Sequence, residues 1–163
     1  GYPILRLTDY CAGPKAYVRR LEDVLIATLG EWAIQGRRRE GLPGVWVGDD
    51  QPLKIASIGV RISQGVTMHG FALNVSLDLA PFSSIIPCGI AGCRVTSMAA
   101  LLGCAPEMAA VQQHIAAHFA ERFHLTWVDT LGADSIEMLG EPPDDLGPAP
   151  IAAPFIAKER LHD

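Results

Sequence analysis

Several features that would define a function class are absent from this sequence. Only 19% of its 163 residues are charged, and a net charge of −5 with a pI of about 5.5 provides no broad basic surface for nucleic acid or an anionic membrane. No apolar run reaches the length of about 18 residues that spans a bilayer. No charged start followed by an apolar core marks a secretory signal. We therefore expect a cytoplasmic protein that binds neither nucleic acid nor membrane.

Nucleotide and disulfide motifs are also missing. Neither GxGxxG nor GxxxxGK[ST] occurs, so the sequence does not support a nucleotide site. The chain is 49% apolar and can bury a real core without covalent cross-links. No CxxC pair exists, and we expect free thiols in a reducing compartment. The four cysteines are Cys11, Cys88, Cys93 and Cys104.

One histidine pair has a spacing compatible with metal binding. His114 and His118 lie four residues apart on a predicted helix, which places both on one face. No third ligand of a suitable kind is close in sequence. We therefore expect no metal and no other cofactor.

The apolar pattern predicts one mixed α/β domain with a largely antiparallel sheet flanked by helices. Tyr2–Leu7 is typical of a strand, and Gly13-Pro14 opens a helix whose apolar residues recur every three or four positions until Gly36. Between 42 and 77 the period changes to two, which predicts strands joined by a hairpin turn at Gly48-Asp49-Asp50.

The second half of the pattern is again helical. Thr96 is a candidate cap for a short helix over 97–102, and a long helix is predicted from Ala105 to about Leu125, with Met108 on its buried face. Five of the twelve prolines follow Gly140, so we divide the chain into a domain over 1–139 and a proline-rich, extended tail over 140–163. The chain starts inside a predicted strand, and we expect further sequence upstream.

The stretch from Lys54 to Cys88 holds the candidate chemistry. A lysine ammonium beside a cysteine thiol favours the thiolate, which is the nucleophilic form. The sequence alone does not bring residues 34 positions apart together. Taken alone, a cysteine such as Cys88 is more often a small buried apolar residue, and a lysine such as Lys54 is far more often a solvated surface charge. His69 could orient a substrate or bind a backbone carbonyl.

Three motifs of this stretch carry a family resemblance. KIASIGVRISQGVTMHGFALNV, DLAPFSSIIPCGI and VTS closely resemble the lipoyl/octanoyl transferases of lipoate biosynthesis, and GYPILRL and PGVWVG add to the likeness. It covers about residues 1–125. Two departures stand out: the family's N-terminal part, with its RGG-type and HGPGQ-type motifs, is not in this sequence, and Ser63-Gln64-Gly65 stands where family members often carry arginines.

The resemblance implies a fold, a reaction and a set of site residues. The fold would be the α/β core shared with biotin and lipoate protein ligases. Cys88 would take an octanoyl group from the phosphopantetheine thioester of acyl carrier protein, and Lys54 would lower the pKa of that thiol. The residues expected to line the substrate site are Ser57, Ile58, Gly59, His69, Gly70, Phe71 and Ala72.

The resemblance also implies partners. The acyl group would pass to a lysine of apo lipoyl domains, in 2-oxoacid dehydrogenases and in the glycine cleavage H protein, and we expect the enzyme to be a monomer. The run Arg37–Arg39, with Lys15, Arg19 and Arg20, could dock the acidic carrier protein, or could be a solvated helix end. Two other functions stay open: a non-catalytic fragment that binds lipoyl domain or carrier protein, and an ATP-dependent lipoate protein ligase.

Overall fold

A largely antiparallel sheet forms the centre of the protein, whose structure is a computed structural model that describes residues 1–84, 93–130 and 155–159. The strands are β1 (Arg37–Arg39), β2 (Leu42–Val47), β3 (Leu53–Ser63), β4 (Val66–Leu73) and β5 (Arg94–Val95). They run in the order β1-β2-β3-β4, and β5 pairs in parallel with the start of β3. The predicted mixed α/β class is therefore confirmed.

Two long helices pack beside the sheet. They are α2 (Pro14–Gly30) and α4 (Met108–Phe123), and two short helices are α1 (Leu7–Tyr10) and α3 (Met98–Leu102). The predicted proline start of α2 is confirmed. Its predicted end at Gly36 is wrong, because Ala33 takes a left-handed φ of 55° and the Ile34 N–H bonds back to the Leu29 carbonyl, which closes the helix earlier.

Two apolar clusters form the core. The first lies between α2 and the sheet and includes Leu25, Val45 and Ile55. The second joins α2 to α4 through Tyr17 and Phe123, whose rings meet edge to face at 6.0 Å. Because all five side chains are buried at 1% exposure or less, these clusters fix how α2 lies against the strands.

The N-terminal segment differs from the predicted strand over Tyr2–Leu7. It lies beside β4, but only one isolated bridge, Arg6 to Val66, is formed, and Leu7 already begins α1. The reason is a side chain: the Thr67 hydroxyl accepts the Leu5 N–H at 3.0 Å and so replaces a backbone partner.

Smaller differences concern element ends. Ser97, not Thr96, caps α3, because its Oγ accepts the Ala100 N–H at 3.2 Å. Met108 is 47% exposed and does not face the core.

The tail after Gly140 contributes one extended strand, β7 (Phe155–Glu159), which pairs antiparallel with β6 (Leu125–Thr130). The rest of that tail lies outside the described residues, and the division at 139/140 stays a prediction.

Candidate functional site

Lys54 lies inside the protein rather than on its surface. Its side chain is 3% exposed, at the point where β3 pairs with β2 on one edge and with β5 on the other. Its carbonyl accepts the Thr96 N–H at 2.9 Å, and Trp46 is its partner across β2. A buried lysine is rare, because an ammonium loses its hydration inside a protein. The structure therefore excludes the solvated-charge interpretation of Lys54.

The residues around Lys54 leave space for its long side chain. Gly44 on β2 has a positive φ of 121°, and a methyl group added there would lie 2.8 Å from the Lys54 Cε. The Lys54 Nζ lies 5.3 Å from the centroid of the Trp46 ring, within cation–π range. Glycine at 44 is thus required by Lys54 as well as by its own backbone.

A buried carboxylate holds the glycine in place. Glu22 of α2 is 5% exposed; its Oε1 accepts the Gly44 N–H at 3.0 Å and its Oε2 accepts from the Arg38 Nε at 2.9 Å. Both carboxylate oxygens are satisfied, which a buried acid requires. No sequence signal predicted this link, because Glu22 and Gly44 are 22 positions apart and the link joins a helix to a strand.

Asn74 closes the other side of the Lys54 neighbourhood. Its N–H bonds to the Ile55 carbonyl at 2.9 Å, and its side-chain amide donates to the Thr96 carbonyl at 2.9 Å. Thr96 and Ser97 are themselves buried. Asn74 therefore ties the end of β4 to the chain entering α3. Asn74 lies in the ALNV motif, and Thr96 and Ser97 lie in the VTS motif. Both motifs carried the family resemblance, and they were the signal by which the sequence marked these three residues.

The predicted substrate residues are brought together by the β3–β4 ladder. Ser57 pairs with Ala72, Ile58 with Phe71, and Gly59 with Gly70. Ile58 and Phe71 are partly buried and pack on both core clusters. The Ser57, Gly59 and Ala72 positions are exposed and carry small side chains or none. The face that these three residues share is consequently exposed to solvent.

His69 occupies the next rung of the same ladder, opposite Val60. It is exposed, and its φ of 60° is left-handed, which is uncommon for a residue other than glycine. Such a backbone costs on the order of 1–3 kcal/mol and is concentrated at functional sites. Its neighbour Gly70 is covered by the carbonyl of Gly1 and the ring of Pro3.

Cys88 lies outside the described residues, and its pairing with Lys54 stays a prediction. The chain re-enters the described part at Cys93, one residue before β5, the strand beside Lys54. Three other cysteines are free thiols. Burial raises the pKa of Cys11, partly opposed by the nearby Arg20 charge, so Cys11 is a poor nucleophile. Cys93 and Cys104 are more accessible.

The run Arg37–Arg39 is a strand, so the prediction that it is a solvated helix end is wrong. Arg37–Arg39 forms strand β1, and each arginine has a partner within the protein. Arg37 pairs with Asp49, Arg38 binds Glu22 and Asp23, and the Arg39 guanidinium lies 5.3 Å from the Trp46 ring centroid.

The histidine pair on α4 meets a third candidate ligand from a distant part of the sequence. Glu31, just after α2, places its Oε1 2.9 Å from the His118 Nε2 and 3.8 Å from the His114 Nδ1. The expectation of no metal rested on the absence of a third ligand nearby in sequence. The fold supplies one that the spacing did not predict.

None of the helices in the described part of the chain combines the length and the apolar character needed to cross a bilayer.

Comparison with known proteins gives the same family as the motifs. The catalytic-domain model of lipoyl protein ligases A and B matches residues 1–120. The octanoyltransferase of Alkaliphilus metalliredigens is 44% identical over 132 residues, 80% of this chain and 59% of that protein. The octanoyltransferase of Koribacter versatilis is 42% identical over 170 residues, all of this chain and 63% of that protein. This chain thus spans about three-fifths of the length of these relatives.

Solved structures of ligases share the fold at low sequence identity. A biotin protein ligase from Aquifex aeolicus, in complex with biotin and ATP, superposes with a TM-score of 0.57 at 16% identity, covering 75% of this chain and 48% of that one. A bipartite lipoate protein ligase from Thermoplasma acidophilum gives 0.57 at 19% identity, covering 75% and 51%. The predicted ligase-like core is confirmed. With the family model matching most of its length, the chain belongs to the lipoyl protein ligase A/B catalytic domain family.

Proposed function

We propose that this chain is the catalytic part of an octanoyltransferase. It would move an octanoyl group from octanoyl-acyl carrier protein to a lysine of an apo lipoyl domain, through a thioester on Cys88. The observation that carries the proposal is the burial of Lys54 in a space that Gly44, Trp46 and Glu22 build for it. The names of the curated relatives support the same reaction.

The chemistry assigns one role to each of two residues. The Cys88 thiolate attacks the thioester carbonyl of the donor, the bond from that carbonyl to the phosphopantetheine sulfur breaks, and the released thiolate takes a proton. The neutral amine of the acceptor lysine then attacks the acyl-enzyme, an amide forms, the Cys88 sulfur leaves as a thiolate, and the proton lost by the amine passes to solvent. The Lys54 ammonium would stabilise the Cys88 thiolate in both steps, and no ATP is consumed.

The β3–β4 ladder supports an apolar substrate. Small side chains on the face shared by Ser57, Gly59 and Ala72 leave space for an extended acyl chain, and the left-handed backbone of His69 lies one rung further along. Each buried methylene contributes about 0.8 kcal/mol, so an eight-carbon chain gains substantial affinity. Acyl chains that are one methylene longer or shorter would differ from it only modestly in affinity.

The partners follow from the reaction. The donor would be acyl carrier protein and the acceptors apo lipoyl domains, including those of 2-oxoacid dehydrogenases and the glycine cleavage H protein. A role of β1 in carrier docking is weakened by the internal partners of Arg37 and Arg38. Lys15 and Arg19, exposed along the first turns of α2, are the better candidates for an acidic partner.

A second candidate function is an ATP-dependent ligase, because the solved structures with this fold include ligases. Such an enzyme forms an acyl-adenylate and does not need Cys88. It predicts transfer from free octanoate that stops when ATP is withheld. The octanoyltransferase predicts transfer from octanoyl-carrier protein at the same rate with and without ATP.

The test is the intact mass of this chain after mixing with octanoyl-carrier protein, followed by peptide mapping. We expect one octanoyl adduct, on the peptide that contains Cys88, and none with the Cys88→Ser variant. The Cys93→Ser variant is the matched control and should acylate as the wild type does. An adduct that persists in Cys88→Ser, or none in a folded wild type, contradicts the proposal, and the second result favours a fragment that binds without turnover.

A further inference from the structure

A second cluster of chemically active side chains lies between the two long helices, apart from Lys54. Glu31, His114 and His118 each offer one ligand atom, and these atoms all lie within 4.8 Å of one another. A tetrahedral ion with bonds of about 2.0–2.1 Å separates its ligand atoms by roughly 3.3 Å. The two distances from the Glu31 Oε1, 2.9 and 3.8 Å, lie on either side of that value. We propose that these three residues bind a divalent transition-metal ion.

The fold holds the three side chains in place from both helices. His114 and His118 are four residues apart on α4, so both rings lie on the side of α4 that meets the end of α2. Glu31 follows the last turn of α2, with its N–H bonded to the Thr28 carbonyl at 3.2 Å. The Trp32 ring packs edge-on against the His114 ring, with centroids 5.2 Å apart. The two helices therefore bring the three ligand atoms within 4.8 Å of one another.

The cluster also contains a group placed to orient a ligand. Histidines that bind metals usually donate their second ring N–H to a carboxylate, which fixes the tautomer. Glu121 Oε2 lies 3.5 Å from the His118 Nδ1, while the other nitrogen of that ring faces Glu31. In the metal-free protein the carboxylate of Glu31 can only accept, so the 2.9 Å contact requires an N–H on Nε2 of His118. A metal ion would take the place of that proton, and Nδ1 would then carry the remaining ring proton toward Glu121.

The ligand types select the class of ion. Two imidazoles with one carboxylate favour Zn²⁺, Co²⁺ or Ni²⁺ over Mg²⁺ or Ca²⁺, which prefer oxygen ligands alone. Three protein ligands leave a coordination position for water. The side chains are partly exposed, so an ion reaches them from solvent. A bound ion would join α2 to α4 directly.

The first experiment is calorimetric titration of the chain with Zn²⁺ after its thiols are blocked with iodoacetamide, so that cysteines do not compete. We expect one site, weakened at least about tenfold by Glu31→Gln and by His118→Ala, and several-fold by Glu121→Gln. The control is His69→Asn, in which asparagine accepts the left-handed backbone and the cluster is untouched. It should bind Zn²⁺ as the wild type does.

A spectroscopic measurement locates the ion independently of affinity. Ni²⁺ at the site should quench the fluorescence of Trp32, which contacts His114. Trp32→Phe should abolish this saturable quenching while leaving Zn²⁺ titration intact. Equal Zn²⁺ affinity in the wild type, Glu31→Gln and His118→Ala would overturn the proposal, as would quenching that persists without Trp32. Neither result bears on octanoyl transfer.

Discussion

The two polar clusters of this protein are built in different ways. Lys54 is held by the strands beside it. Its carbonyl accepts the Thr96 N–H, Trp46 is its partner on β2, and Gly44 leaves space for its side chain. Glu31, His114 and His118 meet near the surface, where the end of α2 lies against α4. The first arrangement depends on a missing Cβ and a buried carboxylate, whereas the second depends on the spacing of the two histidines and on how the end of α2 lies against α4. Substitutions should therefore affect the strand-built site far more than the helix-built one.

The largest expected effect is on catalysis at the strand-built site. Lys54→Met removes the ammonium and keeps the length of the side chain. Because the thiolate of Cys88 would lose its neighbouring charge, we expect octanoyl transfer to fall by about 10²-fold or more. Initial rates with octanoyl-carrier protein measure this. Arg61→Met, an exposed position on the same strand, is the control, and an equal loss in both variants would argue against a specific role of Lys54.

The second effect tests the space around Lys54. Gly44→Ala places a methyl group against the Lys54 Cε and the Ala56 carbonyl, at a φ that alanine rarely adopts. We expect a loss of about 2–4 kcal/mol in the free energy of unfolding, measured by urea titration. Gly41 also has a positive φ, of 73°, and nothing lies near it. Gly41→Ala should lose only about 1 kcal/mol, and identical losses would remove the steric argument.

The third effect concerns the carboxylate that supports Gly44. Glu22→Gln replaces a buried charge that accepts from Gly44 and Arg38. We expect a loss of about 1–3 kcal/mol in the free energy of unfolding, because hydrogen bonds to buried charged groups are strong. Asp49→Asn breaks the exposed pair with Arg37 and should change stability by less than about 1 kcal/mol. Equal effects would mean that Glu22 is solvated like Asp49.

The smallest effect is expected at the helix-built cluster. With metal removed by chelator, Glu31→Gln should change the free energy of unfolding by less than about 1 kcal/mol, because the side chains are partly exposed. Thermal melts with and without chelator check this. A large loss in chelator would show that the cluster is a structural contact of the core, and the contrast with Lys54 would fail.

Much of the fold could be predicted because its signals are local. The three- and four-residue period of α2, the proline at its start and the alternation along β3 and β4 each depend on near neighbours. Element ends were less predictable. The closure of α2 at Gly30 depends on Ala33 adopting a left-handed backbone, and the irregular segment before α1 depends on the Thr67 side chain.

The residues of the candidate site also differ in whether the sequence could predict them. Lys54 and the β3–β4 residues lie in one continuous stretch, so the motif identified them and the strand register then brought them together. Glu22 and Glu31 act across long separations, and no sequence period marks such a partner. They became visible only when α2 was placed against the strands and against α4.

We propose that the buried Lys54 promotes ionisation of Cys88. The most direct measurement is the rate of Cys88 alkylation by iodoacetamide at pH values from about 6 to 9, in the wild type and in Lys54→Met, followed by peptide mass. We expect the alkylation rate of the wild type to be high already near neutral pH and the variant to reach the same rate only at higher pH, while the rate at Cys93 is unchanged. Superimposable Cys88 profiles in the two proteins would contradict it.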